Sequence, residues 1–334
     1  MAARRGQKVK LLYIVEILKK YSDEEHPINA TEICEKLESA GVTAERKAIY
    51  GDINCLIDFG YDIIKTRVPK NGFFLGERDF EIPEIYLLSD AVRTAKFISA
   101  KKTRELTTKL DKMLSDYQAK KREKSIFIDS SSKAVNEEIF YTIDSISKAI
   151  ESKKKITFKY GVRVLDKNRN IVTSYKEMEI SPYAMTWQDD HYYLIGNHGK
   201  YDNLAHFRID RMKTVEITEE NARRFCEVCD YKEVFDVADY TKKLFNMFGG
   251  ENEQIELKCS KAILEQVIDR FSEKIFIRNV TEESFTFSVT ATISSALVTW
   301  IINYGNKIEV VSPESLRKMI SDRAKEVIKL YEKD

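Results

Sequence analysis

The sequence predicts an α+β protein of several domains, and three observations carry that reading. Helical periodicity fills the first 60 residues and then gives way to a short hairpin. Between Ser181 and Met212, side chains alternate with a period of two, as half-buried strands do. From Gln254 onward short strands and helices take turns. At 334 residues the chain is too long for one typical core and suits two or three domains.

From Gln7 to Tyr21 the apolar residues Val9, Leu11, Leu12, Ile14, Val15 and Leu18 recur at helical spacing. Asn29 is a good N-cap for a second helix that runs to Ser39, with Ile33 and Leu37 facing inward. Gly41 breaks the chain, and Thr43 is expected to cap a third helix. Ala48, Ile49, Ile53, Leu56 and Ile57 should share its inner face, and Gly60 ends it. Strands at Asp62 to Arg67 and Phe73 to Glu77 flank Pro69 to Gly72, a strong hairpin signal. Three helices and then a hairpin is the layout of a winged helix-turn-helix, here residues 1–80. The first two turns of the third helix of such a unit enter the major groove, while basic side chains hold phosphates. Its wing offers Lys65, Arg67 and Lys70, and an N-terminal arm offers Arg4, Arg5, Lys8 and Lys10. Asp23, Glu24, Glu25, Glu35 and Glu38 roughly cancel these charges, so only the DNA face is basic. Modest affinity per head then calls for a dimer on two half-sites. Asp52 is expected to bond back within the three-helix unit.

Residues 81–134 read as a helical connector, helical from Pro83 to about Lys121. Ile85, Leu88, Val92, Ala95 and Ile98 form one stripe, and Leu106, Leu110, Met113 and Leu114 another, serving either plain packing or a dimer seam. Ala119 to Lys124 reads as a charged turn, Ile126 to Ile128 as a short apolar run, and Asp129 to Ser132 as a capping loop. A helix from about Lys133 to Ser152 leads through three lysines into a strand at Ile156 to Tyr160. Lys167 to Asn170 is a hairpin turn, after which the chain enters the Ser-Pro-Tyr strand, where Tyr183, Met185 and Trp187 share a face. His191, Tyr193 and Ile195 face oppositely to Tyr192, Leu194 and Gly196, and Asn197 to Asn203 is a turn. In the run from His206 to Met212, alternation puts His206, Arg208, Asp210 and Met212 on one side, and Phe207, Ile209 and Arg211 on the other. Val215 to Thr218 is a brief strand, followed by short helices and turns to Phe248. Further strands are expected at Gln254 to Cys259, Lys274 to Val280, Ser284 to Thr292 and Ile308 to Val311, with a helix at Ala262 to Phe271 and a terminal one reaching about Tyr331.

Three of these motifs, in this order, resemble the WYL domain. Tyr192-Tyr193-Leu194 stands where that family has Trp-Tyr-Leu, with Pro182-Tyr183 upstream and Phe207 to Met212 downstream. The resemblance implies an Sm-like β-barrel of the kind found in bacterial transcription regulators, here residues 135–235. Trp300 to Gly305 and Pro313 to Arg317 resemble pieces of the C-terminal extension often attached to it, a small α/β domain at 236–334. Gly41 to Ile53 resembles the recognition segment of the DeoR-like domains that usually precede it, which implies Thr43, Arg46, Lys47 and Tyr50 as DNA contacts. The Arg common just before the Asp is Gly51 here, at the expense of a phosphate contact and some helix propensity.

Tyr160, Ser181, Tyr183, His191, Tyr193, His206, Arg208 and Arg211 form the candidate effector constellation. Rings stack on flat bases and Arg forks grip phosphate in two places, so this set suits a nucleotide-like anion. In the family, the Tyr of the Trp-Tyr-Leu run and the two Arg positions are proposed to bind a small effector or nucleic-acid fragment. The competing reading pairs Arg208 with Asp210 and leaves the tyrosines as core residues with a wet hydroxyl.

Apolar residues make up 43% of the chain and charged ones 33%, enough for packed cores under a well-solvated surface. No run of about 18 apolar residues exists, so no membrane span or membrane partner is expected. The basic N-terminus lacks the apolar stretch of a secretory signal. Five scattered cysteines fit a reducing, cytoplasmic setting. A net charge of +1 neither supports nor excludes nucleic-acid binding. No phosphate loop, His-Glu-x-x-His or nucleophile elbow occurs, so neither an enzyme nor a cofactor is expected. Cys226 and Cys229 have zinc-like spacing but no second ligand pair follows closely, so no metal is expected. His191, His198 and His206 are three of only four histidines, and hydrogen bonding suits them better than catalysis. The expectation is a homodimeric transcription regulator with a double-stranded DNA operator and a nucleotide or oligonucleotide effector. The alternative is an accessory module that captures single-stranded nucleic acid for a defence or DNA-repair system.

Overall fold

The computed structural model describes residues 2–123 and 133–332. The runs Ile126 to Ile128 and Asp129 to Ser132, and the side chains of Arg4, Arg5 and Lys8, lie outside the described ones. Two compact units divide the chain, Met1–Glu137 and Glu138–Asp334.

The first unit opens with α1 (Ala2–Tyr21), α2 (Ala30–Ser39), α3 (Arg46–Phe59) and a hairpin of β1 (Ile63–Thr66) and β2 (Gly72–Leu75). Asn29 caps α2 by accepting from the Thr31 and Glu32 amides, and the Glu32 carboxylate accepts from the Asn29 amide in return. Gly60 closes α3 at φ +115°, a left-handed conformation that glycine adopts without steric cost. Ile14, Leu18, Ile33, Leu37, Ile49 and Ile53 are fully enclosed between the three helices. The hairpin is tied in by a bridge in which the Ile28 and Phe73 amides and carbonyls exchange bonds at 2.8 and 2.9 Å. Gly72 permits that approach, because a Cβ there would stand 2.9 Å from the Ile28 backbone.

Three expectations are corrected by the structure. Thr43 does not cap α3; the helix starts at Arg46, with Glu45 at the cap position and no side-chain cap bond. Val42 is buried and its amide bonds to the Leu37 carbonyl, which holds the chain non-helical for three residues longer. Ala48 and Ile57 are exposed rather than on the buried face. The connector forms three short helices, α4 (Ile82–Thr94), α5 (Ala100–Asp111) and α6 (Asp116–Glu123). The predicted charged turn from Ala119 is therefore mostly helical. Burial of Phe97 and Ile98 ends the first of these helices, and Ser99 caps the second. Arg78 ties the connector to the head by donating to the Lys19, Ser22 and Met113 carbonyls.

In the second unit α7 (Ile139–Ser152) packs Ile139, Thr142, Ile146 and Ala149 inward. A five-stranded antiparallel sheet follows: β3 (Lys154–Leu165), β4 (Ile171–Gln188), β5 (His191–His198), β6 (Ala205–Arg208) and β7 (Met212–Asn221), in the order β6-β5-β4-β3-β7. The predicted alternation from His206 to Met212 breaks at Ile209, where a 3₁₀ turn, Ile209–Arg211, separates two strands. Bulges in the pairings of β3 with β7 and of β4 with β5 help the sheet curl. The curl is tight enough for the Arg208 amide on β6 to donate to the Tyr160 hydroxyl on β3 at 3.2 Å. Among the described strands the two edges are joined by the 3₁₀ turn, with no hydrogen-bonded ladder closing a barrel. Gly196 allows β5 to lie against β4, since a Cβ there would come within 2.7 Å of Ile180 and Ser181.

After α8 (Val237–Lys243) come β8 (Asn252–Ser260), α9 (Leu264–Phe271), β9 (Phe276–Arg278), β10 (Ser284–Thr292), α10 (Ser295–Asn303), β11 (Ile308–Ser312) and α11 (Glu314–Tyr331). The strands form an antiparallel sheet in the order β11-β8-β10-β9. Phe285, Phe287, Leu297, Ile301 and Leu316 build its core.

Candidate nucleic-acid interface and effector site

The start of α3 is open. Arg46 and Lys47 are exposed in its first turn, make no ion pair among the described residues, and follow a helix N-terminus left without a side-chain cap. Free amides and the positive end of the helix dipole there favour an anion such as phosphate. Thr43 is exposed in the turn just before. Tyr50 is half-buried, edge-on to Phe73 at 5.7 Å, so its ring packs the helix onto the wing. Lys65 stands over both rings, 5.4 Å from Tyr50 and 5.9 Å from Phe73. Arg67 is exposed in the wing. Lys70 is engaged by Glu32 at 2.7 Å, a half-exposed pair that competes with phosphate for the ammonium.

Lys10 does not join the expected DNA face. It is buried, and its ammonium pairs with Asp52 at 2.7 Å. Asp52 thus bonds back within the three-helix unit, and one turn of α3 is locked to α1.

The eight predicted effector residues do not converge on one cavity. Tyr160 sits at the 3₁₀ corner with its ring edge-on to Phe158 and Phe207 and its hydroxyl on the Arg208 amide. Arg208 turns its fork onto Asp210, with Nε to Oδ1 at 3.1 Å and Nη2 to Oδ2 at 2.7 Å. Burial opposes the Arg208 charge, but the Asp210 carboxylate outweighs it and raises the guanidinium above its ordinary value. Two residues of one turn thus hold each other, the pairing that the competing reading expects. Arg211, next but one in that turn to Ile209, is exposed.

Tyr183, Tyr193 and His206 lie instead against the segment that follows the sheet. Tyr183 and Tyr193 pack on a cluster of Ile195, Leu204, Val228, Tyr240, Leu244 and Met247. Burial pushes the Tyr183 hydroxyl up to about 12 and raises that of Tyr193. His206 Nε2 meets the Tyr240 hydroxyl at 2.9 Å, and burial pushes the imidazole down to about 4, so it is neutral near pH 7. His191 is half-buried with its ring edge-on to Tyr193 at 6.3 Å. Ser181 is buried and accepts from the Arg223 amide at 3.0 Å. None of these eight residues lines either the cavity of about 540 Å³ in the first unit or the groove of about 530 Å³ across β3, β4 and β7.

The partners that sequence reasoning missed are Glu32 for Lys70 and Tyr240 for His206. Neither carries a local signal, because the two pairs are 38 and 34 residues apart along the chain. A third omission is Tyr175, half exposed, with the Lys213 ammonium 5.1 Å from its ring centre.

A family model described as the WYL domain matches residues 141–217, from α7 into β7. Another, described as the WCX domain, matches residues 251–328, from just before β8 into α11. A search of curated proteins found no match. Among solved structures, one similar chain is proteasome accessory factor B/C (PafBC) of Arthrobacter aurescens, at 16% identity and a TM-score of 0.28. The match covers 97% of this chain and 49% of that one, so this chain spans about half its length.

Proposed function

From the WYL and WCX domains that this chain carries, we propose that it is a transcription regulator that reads an operator through α3 and answers a nucleotide-like or nucleic-acid effector. The observation that carries the reading is the open start of α3, where Arg46 and Lys47 stand exposed on a three-helix unit with a wing. Each charge that neutralises a phosphate releases counterions, so binding should weaken steeply with salt. A homodimer supplies the second head that one small face of two basic residues needs.

The sensing half turns on Arg208. An effector phosphate must displace the Asp210 carboxylate to gain the fork, so the arginine has an occupied and an exchanged state. Only a ligand that favours one of two operator affinities can switch the protein. Gel shift on the DNA of its own promoter tests both halves. Arg46→Ala with Lys47→Ala abolishes duplex binding, whereas Arg208→Ala leaves it intact but blind to effector. Retained duplex binding in the double variant sinks the proposal.

A second reading, capture of single-stranded nucleic acid for a defence or DNA-repair system, draws on Tyr175 beneath Lys213. An exposed ring beside a cation suits base stacking along a strand. Under it Arg208→Ala removes the main nucleic-acid affinity and the α3 double variant barely matters.

A further inference from the structure

We infer that Asn54 reads adenine on the DNA face and that Gly51 is the gap that lets the helix close onto the groove. This deepens the operator-reading function proposed above and rests on it. Lys47, Gly51 and Asn54 are all exposed on α3. At about 3.6 residues per turn, positions four and seven apart fall on one narrow stripe, so the three side-chain positions run along the same line. An ideal Cβ on Gly51 would meet nothing within 4 Å. Its backbone is helical, so neither packing nor a left-handed conformation calls for glycine there. Glycine weakens a helix interior. A residue that weakens the helix and answers no need inside the protein fits a need outside it, a low spot where the groove comes close.

Asn54 stands one turn beyond that gap, and its amide makes no hydrogen bond among the described residues. One acceptor and one donor at the amide spacing match N6 and N7 of adenine in the major groove. Lys47 on the same stripe suits guanine O6 and N7, or a phosphate. Seven residues rise about 10 Å along the helix, or about three base steps of 3.4 Å. Each half-site should therefore hold an adenine about three base pairs from the Lys47 contact. Asp58 is exposed one turn further along the stripe and repels phosphate, which confines docking to the earlier turns.

The test is selection of duplexes from a random-sequence library by the full chain, then gel shifts with the selected duplex and with duplexes altered at single positions. Wild type selects adenine at one fixed position of each half-site. Asn54→Ala keeps its helical circular dichroism and its low-salt affinity for random duplex, but loses about tenfold or more of the preference at that position alone. Gly51→Leu, whose Cβ meets nothing within 4 Å in the protein, melts no lower than wild type, since leucine favours a helix over glycine, yet loses at least about tenfold in affinity for the selected duplex. If Asn54→Ala keeps the adenine preference, the assignment of Asn54 fails while operator reading stands. Undiminished binding by Gly51→Leu removes the gap. Wild type that retains no duplex at all takes down this inference and the operator reading together.

Discussion

His206 is neutral in the fold because it is enclosed beside Tyr240, with its imidazole at about 4, whereas an unfolded histidine titrates near ~6.5. The folded state therefore disfavours the proton. Its stabilisation is complete above about pH 6.5, shrinks as pH falls, and is lost by about pH 4, on the order of 3 kcal/mol in all. Urea midpoints at pH 7.5 and 4.5 should accordingly drop further for wild type than for His206→Gln; equal drops refute the assignment. Asp210 poses the opposite problem. Replacing it by Ala leaves the half-buried Arg208 guanidinium without its carboxylate, at a cost of about 1–3 kcal/mol in urea unfolding. The same variant frees the fork, so affinity for a simple anion such as pyrophosphate should rise when measured by calorimetry.

At the scale of elements, α2 and α3 begin differently, and the difference separates structure from function. Asn29 and Glu32 satisfy the free amides of α2, so Asn29→Ala should lower stability by about 1 kcal/mol. No such cap covers α3, whose first amides stay available to a ligand. Gly51→Ala places a methyl in open space and should raise stability by about 0.5–1 kcal/mol, read as a shift in thermal midpoint. A fall would mean that the glycine serves packing after all. The sheet shows a related contrast. Alternation located β5 and β6 correctly, but the 3₁₀ turn at Ile209–Arg211 interrupts it. Ile209 and Met212 are both fully buried there, although strict alternation puts them on opposite faces.

For the whole molecule, the division at Glu137 and Glu138 predicts that residues 138–334 fold when expressed alone. Far-ultraviolet circular dichroism and a cooperative thermal transition check this; a non-cooperative melt contradicts it. Most elements were legible in the sequence, because helical and strand periodicities, caps and turn residues act over a few residues. Asn29, Gly60 and the Pro69 to Gly72 turn each did locally what their chemistry requires. Long-range pairing was less legible. Lys10 looks like an arm residue until Asp52, 42 positions later in the chain, is found 2.7 Å away.

The sequence alone determined that this chain builds three helices with a wing, then a helix and a meander carrying Tyr192-Tyr193-Leu194, then alternating strands and helices. Those outcomes follow from side-chain period and backbone preference, which neighbours along the chain decide. Only the tertiary structure decided which polar groups remain free for a ligand. Arg46 and Lys47 stay open, whereas Lys10, Lys70 and Arg208 are held by carboxylates and His206 by a tyrosine. A charge or a hydrogen bond is spent on whatever the fold brings within about 3 Å, and proximity in space is not written in spacing along the chain.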